Sequence, residues 1–341
     1  MKIPRRRGGA RPWPQKREDT MGRNIKKTLL LTTAAAAAGA GGLAYAGLRT
    51  AILRRDRTPE QWEHYLTTGR WNAHSDEIIR EIQWFSQQDT EELSLHSRDG
   101  LRLRATYLEA PRARACVLLC HGFRSSGLVD FSLVLRLFYE NRCSVLLIDQ
   151  RAHGRSEGRY IGYGVLERYD CQQWAWFLHA KLGGRLPIFL EGISMGAATV
   201  MMASELPLPP SVAGVIADCG YNSPWDELRH CIRRWYHLPA FPVLHLTDIA
   251  CRLTAGYSLK DVSSAQALAN SRLPVLFIHG TGDNFVPADM TAENYAAAMG
   301  EKRTVIVEGA DHGFSYVEDR ERCRKEVLDF IDTYAESCHG A

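Results

Sequence analysis

Six short apolar runs constrain this chain more than any other feature. They fall at 115–119, 144–148, 187–191, 212–217, 274–279 and 303–308, and helical stretches lie near 127–141, 166–182, 195–205, 289–299 and 318–335. Strands that are apolar throughout, rather than at alternate positions, have both faces covered, and such strands alternating with helices build a parallel sheet. Just before them, residues 93–108 read LSLHSRDGLRLRATYL, two alternating runs around Asp99-Gly100. Asp-Gly between alternating runs predicts an antiparallel hairpin. The fold class expected is therefore α/β: a mostly parallel central sheet with an N-terminal antiparallel hairpin and helices on both faces. One interval, of roughly 55 residues between 217 and 274, is too long for a simple connection. It holds Trp225, Trp235, Tyr236, Phe241 and Tyr257, with Pro224 and Pro239 placed as helix starts. It predicts a small helical cap at about 221–270.

Charge divides the chain in two. The net charge is +3, but residues 1–57 carry fourteen Lys/Arg against three acidic residues, a net of +11, and the remainder is −8. An acidic body lacks the positive surface that phosphate binding needs, so a nucleic-acid partner is not expected. The composition, 45% hydrophobic and 24% charged, is that of a globular protein and excludes disorder or a bare coiled coil.

Within the basic tail, residues 28–48 read TLLLTTAAAAAGAGGLAYAGL, uncharged and long enough to cross a bilayer as a helix. Two readings compete: a retained single-pass anchor, or a signal peptide cut after Ala46, where Ala44-Tyr45-Ala46 fits the small-x-small pattern. A soluble Ala-rich helix is disfavoured, because the segment has no polar face. Ten basic residues precede the segment, which by the positive-inside rule keeps the N-terminus in the cytoplasm and the body outside; Arg49, Arg54, Arg55 and Arg57 beyond it pull the other way.

Residues 58–88 are expected to form an amphipathic helical lead-in. Ser75 is a predicted N-cap, with Asp76 and Glu77 in the first turn, and Trp62, Tyr65, Trp71, Ile78, Ile82 and Phe85 would face the core. The catalytic domain would then span 89–337. The nine cysteines are scattered without a C-x-x-C pair and read as mostly free, buried thiols. His121, Asp149 and His153 lack ligand-like spacing, so no metal is expected. Glu157, Glu167, Arg168 and Asp170 read as supports for loops and a helix start, and Trp174, Trp176 and Phe177 as core.

The chemistry centres on Gly192-Ile193-Ser194-Met195-Gly196, which follows the run PIFLE and precedes AATVMMASEL. G-x-S-x-G between a strand and a helix forces a sharp turn that lifts the serine hydroxyl into a cleft at a helix N-terminus. Other marks sit after the remaining strands: His121-Gly122-Phe123, Asp149-Gln150-Arg151-Ala152-His153-Gly154-Arg155-Ser156, Gly280-Thr281-Gly282-Asp283 and Gly309-Ala310-Asp311-His312-Gly313. On these residues the chain resembles the α/β-hydrolase fold superfamily over roughly residues 90–336. More narrowly it is similar to bacterial membrane-associated or secreted serine hydrolases of the esterase or acyl-peptidase kind. Ala152 stands where the usual pattern has Gly.

A serine nucleophile needs a base, and the base needs an orienting acid. In this fold the order is Ser, acid, His, which makes His312 the base and Asp283 the acid. Asp218 is the rival acid, and Asp311 adjoins His312 in sequence. The resemblance implies an oxyanion hole from the backbone N–H groups of Phe123 and Met195, and acyl chemistry without a cofactor. The function expected is hydrolysis of a small-molecule carboxylic ester or thioester through an acyl-enzyme on Ser194. An acyltransferase or peptidase would use the same residues, and a non-catalytic binding protein on this scaffold would have no use for all three.

Overall fold

A computed structural model of the chain describes residues 16–335, so the start of the basic tail and Cys338 lie outside the described residues. The chain enters through α1 (Lys16–Gly47), which continues as a wider helical turn over Leu48–Ile52. The uncharged 28–48 segment lies within these two elements, and Lys26–Ile52 is long and apolar enough to cross a membrane.

The lead-in forms α2 (Pro59–Thr67), a tight turn at Gly69–His74, and α3 (Ser75–Ser86). Thr58 caps α2 in a reciprocal pair with Gln61. Ser75 is not the N-cap expected for α3: the preceding tight turn runs directly into the helix, so Ser75 is already helical and its hydroxyl donates back to the Asn72 carbonyl at 2.9 Å. Trp62, Tyr65, Trp71, Ile78 and Ile82 pack with Val129 and Phe314 in a satellite cluster, while Phe85 joins the main core.

The elements that follow are β1 (Thr90–His96), β2 (Arg102–Leu108), β3 (Ala115–Cys120), α4 (Gly127–Asp130), α5 (Ser132–Glu140), β4 (Cys143–Asp149), α6 (Glu167–Lys181), β5 (Ile188–Ile193), α7 (Met195–Ala203) and β6 (Val212–Asp218). The cap interval holds α8 (Pro224–Trp235), α9 (Val243–Thr254) and α10 (Ser264–Asn270). The chain closes with β7 (Val275–Gly280), α11 (Ala288–Ala297), β8 (Lys302–Val307), α12 (Ser315–Glu318) and α13 (Arg320–Ala335).

The eight strands form one sheet in the order β1-β2-β4-β3-β5-β6-β7-β8. The β1–β2 hairpin joins antiparallel to β4, and every later pairing is parallel. β3, β5, β6 and β7 are almost wholly buried, as unbroken apolar runs require. One sheet face packs residues such as Phe138 and Phe330, the other Trp174 and Met201. Trp176 departs from the expected core role: it is 45% exposed, and its indole N–H donates to the Pro207 carbonyl at 3.0 Å.

Pro224 starts α8 as expected, with Ser223 as its cap. Pro239 starts no helix. Pro242 follows it closely and disfavours a helical Phe241, so α9 begins only at Val243. α8 and α9 line the same cavity as Ser194, at the end of β5, and α9 packs on α1, whereas α10 packs on α7 and α11. The eight described cysteines are free, and seven are buried.

Candidate active site

The parallel strands deliver their following loops to one edge of the sheet, the usual location for ligands in such folds. Ser194 follows β5, Asp283 follows β7 and His312 follows β8. The Ser194 turn is sharp, with φ 57° and ψ −117°. Its glycines are sterically required: a Cβ on Gly192 would overlap the Gly196 backbone, and one on Gly196 would overlap the Cys120 carbonyl. The Ser194 amide donates to the Asp218 carbonyl at 2.8 Å, which pins the turn to β6.

The turn aims Ser194 Oγ at His312 Nε2, 2.9 Å away. His312 Nδ1 lies 2.7 Å from Asp283 Oδ2. With Nδ1 donating to the carboxylate, Nε2 is left to accept the serine hydroxyl hydrogen. Asp283 Oδ1 accepts the Phe285 and Val286 amides, each at 2.8 Å, and His279 Nε2 lies 3.2 Å from Oδ2. Burial alone would raise the Asp283 carboxyl, but the bonds from His279 and His312 outweigh it and hold it well below the usual carboxylate range.

Asp218, the rival acid, makes no bond to His312. Its Oδ1 is buried without a partner, and burial pushes its carboxyl up to about 7. Asp311 uses its side chain to accept the His312 amide at 2.8 Å. Cys219 Sγ lies near Asp283 and His312, an arrangement of metal-ligand type. Burial raises its thiol well above the ordinary value, and both His312 nitrogens are already engaged, so this set is poorly suited to a metal.

The loop after β3 is held on both sides of Phe123. The Gly122 amide donates to Asp130 Oδ2 at 2.7 Å, and the Arg124 amide donates to His153 Nε2 at 2.9 Å. Burial, assisted by the nearby His121, lowers His153 well below the ordinary histidine range, which keeps Nε2 an acceptor. The amides of Phe123 and Met195 donate to no acceptor among the described residues. Sequence reasoning singled out Phe123 but missed Asp130 and His153 as the residues that hold its loop. Asp130 lies eight residues on, at the end of α4, but no motif ties it to the loop, and His153 reaches the loop from the segment after β4. Glu167 accepts the Gly162 and Gly164 amides, Asp170 pairs with Arg151, and Glu157 accepts the Arg102 amide, all as supports.

Above Ser194 lies a cavity of about 470 Å³. Most of its lining is apolar, with Leu228, Ile232, Trp235 and Leu244 from the cap. Glu227 also lines it, unnoticed in the sequence. It is buried, and burial pushes its carboxyl up to about 8, so at neutral pH it adds little charge. Also unforeseen, Leu43, Ala46, Gly47, Thr50 and Ala51 of the N-terminal segment form part of the wall.

A family model described as "Alpha/beta hydrolase family" matches residues 117–326, well over half of the chain. The chain belongs to the alpha/beta hydrolase family. Among curated relatives, this hydrolase is 29% identical over 253 residues to the uncharacterized protein YqkD of Bacillus subtilis, covering 74% of this chain and 83% of that one. It is 23% identical over 252 residues to the uncharacterized protein YfhR of Escherichia coli, covering 71% and 80%. Among solved structures it is similar to the Pyrococcus furiosus esterase Pf2001, with TM-score 0.61, 17% identity and coverage of 83% and 98%. Est1E of Butyrivibrio proteoclasticus, solved with ferulic acid bound, gives TM-score 0.57 at 18% identity, covering 71% and 98%.

Proposed function

We propose that this chain is a serine hydrolase that cleaves carboxylic esters or thioesters through an acyl-enzyme on Ser194. The observation that carries the reading is the line of bonds from Ser194 through His312 to Asp283, beneath a mostly apolar cavity. His312 takes the Ser194 proton as Oγ attacks the acyl carbonyl. The developing oxyanion accepts the Phe123 and Met195 amides, which have no competing acceptor among the described residues. The tetrahedral intermediate collapses as His312 returns the proton to the departing alcohol or thiol. Water then enters and gives a proton to His312. Its oxygen attacks the acyl carbon, and the acid leaves as Ser194 recovers its hydrogen. Asp283, kept ionised, stabilises the imidazolium in both halves. No residue in this sequence of steps requires a cofactor.

The structural neighbour Pf2001 is an esterase, which agrees with an ester substrate for this chain. The further assignment is a retained single-pass anchor, with the catalytic domain on the extracytoplasmic side. It is supported by the membrane-length helix, by the ten basic residues before it, and by the burial of Leu48 and Ile52 just beyond it. Domain limits of 1–57, 58–88 and 89–337 accompany it.

The test is fluorophosphonate labelling of the full chain against Ser194→Ala. Labelling that depends on Ser194 is expected, and its absence overturns the enzyme reading. A panel of p-nitrophenyl esters and thioesters, with and without alcohol or amine acceptors, separates hydrolysis from acyl transfer. Mass spectrometry of the mature N-terminus, in both membrane and released fractions, reads whether cleavage occurs after Ala46.

A further inference from the structure

The pocket that holds Ser194 is closed on one side by the helix of membrane-spanning length. Leu43, Ala46, Gly47 and Thr50 line the same cavity as the nucleophile. The helix comes close because Gly47 has no side chain: a Cβ there would overlap Thr247 of α9. Past this contact Leu48 and Ile52 are buried with Leu244 and Cys251 of the cap. The chain then joins the body, with the Ile161 amide donating to the Ile52 carbonyl at 2.8 Å and the Arg54 amide to the Arg159 carbonyl at 2.9 Å. Tyr163 links this segment to the site. Its hydroxyl donates to the Ala51 carbonyl at 3.2 Å, and its ring stacks on Phe123.

A helix that leaves a bilayer and ends in a pocket wall fixes where the pocket lies: against the membrane surface. The cap is built for that position. Trp235, Tyr236, Leu238 and Phe241 are 53%, 56%, 49% and 69% exposed, and Arg233 and Arg234 sit beside them at the end of α8. Aromatic residues settle at the level of the headgroups, and clustered arginines are drawn to anionic lipid. Exposed Arg49 and Arg55 flank the helix end on the same segment. In water these apolar side chains would be a liability. At a bilayer surface they are a docking face continuous with the anchor.

We infer that the substrate is a lipid ester resident in the bilayer, whose long acyl chain enters from the bilayer side between α8 and the N-terminal helix and lies along Leu43 and Ala46. This rests on the serine-hydrolase and retained-anchor readings above. It adds the substrate class and gives the helix a role in binding as well as in anchoring.

The test uses the full chain in vesicles of phosphatidylcholine and phosphatidylglycerol, with p-nitrophenyl palmitate dissolved in the vesicles and p-nitrophenyl butyrate in the water. Wild type should favour palmitate, and a preference for butyrate would overturn the inference. Ala46→Trp fills the wall from the helix side. It should lower the palmitate-to-butyrate ratio of kcat/KM by about tenfold, the scale expected when about two methylenes lose apolar contact. Ala46→Leu is the milder version should the larger side chain prevent folding, and a ratio unmoved in both variants overturns the inference. Two other failures look different. No Ser194-dependent turnover of either ester refutes the hydrolase reading, and a mature chain starting at Gly47 refutes the retained anchor.

Discussion

His279 Nε2 lies 3.2 Å from Asp283 Oδ2, the same oxygen that binds His312 Nδ1 at 2.7 Å. The carboxylate thus lies beside two imidazoles, with His279 Nε2 also 2.9 Å from the Val286 carbonyl, and its other oxygen is fixed by two backbone amides. His279 is fully buried, and its Nδ1 lies 2.6 Å from the Thr291 hydroxyl, so the second imidazole is itself held.

His279 is accordingly a positioning residue, and its removal has a readable pH signature. Asp283 is depressed in the folded protein, so its contribution to stability is present above the unfolded carboxylate pKa and is lost as pH falls through the folded value. His279→Gln weakens the depression and raises the folded value. Acid unfolding followed by circular dichroism should then begin at a higher pH than in the wild type, and kcat should fall with it. An unshifted acid transition would mean the His279 contact does not matter.

Exchange of the two acids separates their roles. Asp283→Asn should cost about 10⁴ in kcat, as expected when the base loses its orienting carboxylate. Asp218→Asn should leave kcat within a few-fold and change stability instead. The buried Asp218 carboxyl is pushed up to about 7, above its unfolded value, so its stabilisation is full at low pH and is lost as pH rises toward 7. That loss amounts to about 4 kcal/mol at most. The asparagine variant lacks it, so its Tm should fall less between pH 5 and pH 8 than the wild-type Tm. Near-normal turnover in Asp283→Asn would move the acid to Asp218.

The loop carrying Phe123 depends on His153. His153→Phe removes the acceptor of the part-buried Arg124 amide and leaves that donor unpaired. Since loss of a whole oxyanion donor costs about 10²–10³ in kcat, misplacing one should cost up to about 10². KM should change little, because the defect is felt as charge develops. Steady-state kinetics on a soluble ester reads both.

Ile52, at the end of the N-terminal helical segment, has no exposed surface. If this segment belongs to the body, Ile52→Ala should destabilise the protein by about 2–5 kcal/mol, as for other buried Ile truncations. Urea unfolding measures the difference, and a change near zero would show the segment to be only a tether.

The local patterns already carried much of this architecture. Continuous apolar runs need two covered faces, and that requirement specifies β3 to β7 as sheet interior; the run at 303–308 instead forms the edge strand β8, where Ile306 is exposed. Gly192 and Gly196 bracket Ser194 because side chains there would collide with backbone. The order Ser194, Asp283, His312 follows from the resemblance to the α/β-hydrolase fold, which left Asp218 as a rival acid. Capping and packing details were less legible, since Ser75, Trp176 and Pro239 each answer to neighbours that local pattern does not name.

What tertiary structure decided are the relationships between segments far apart in the chain. Asp218 ends β6 and Asp283 follows β7, and only the path of the backbone puts one of them against His312. His153 holds the Phe123 loop from the segment after β4. The N-terminal helix, in sequence a basic and apolar tail without chemistry, becomes a wall of the pocket through Gly47 against Thr247. Periodicity reports which face of an element is apolar. It does not say which other element covers that face, and the substrate wall is built from that second fact.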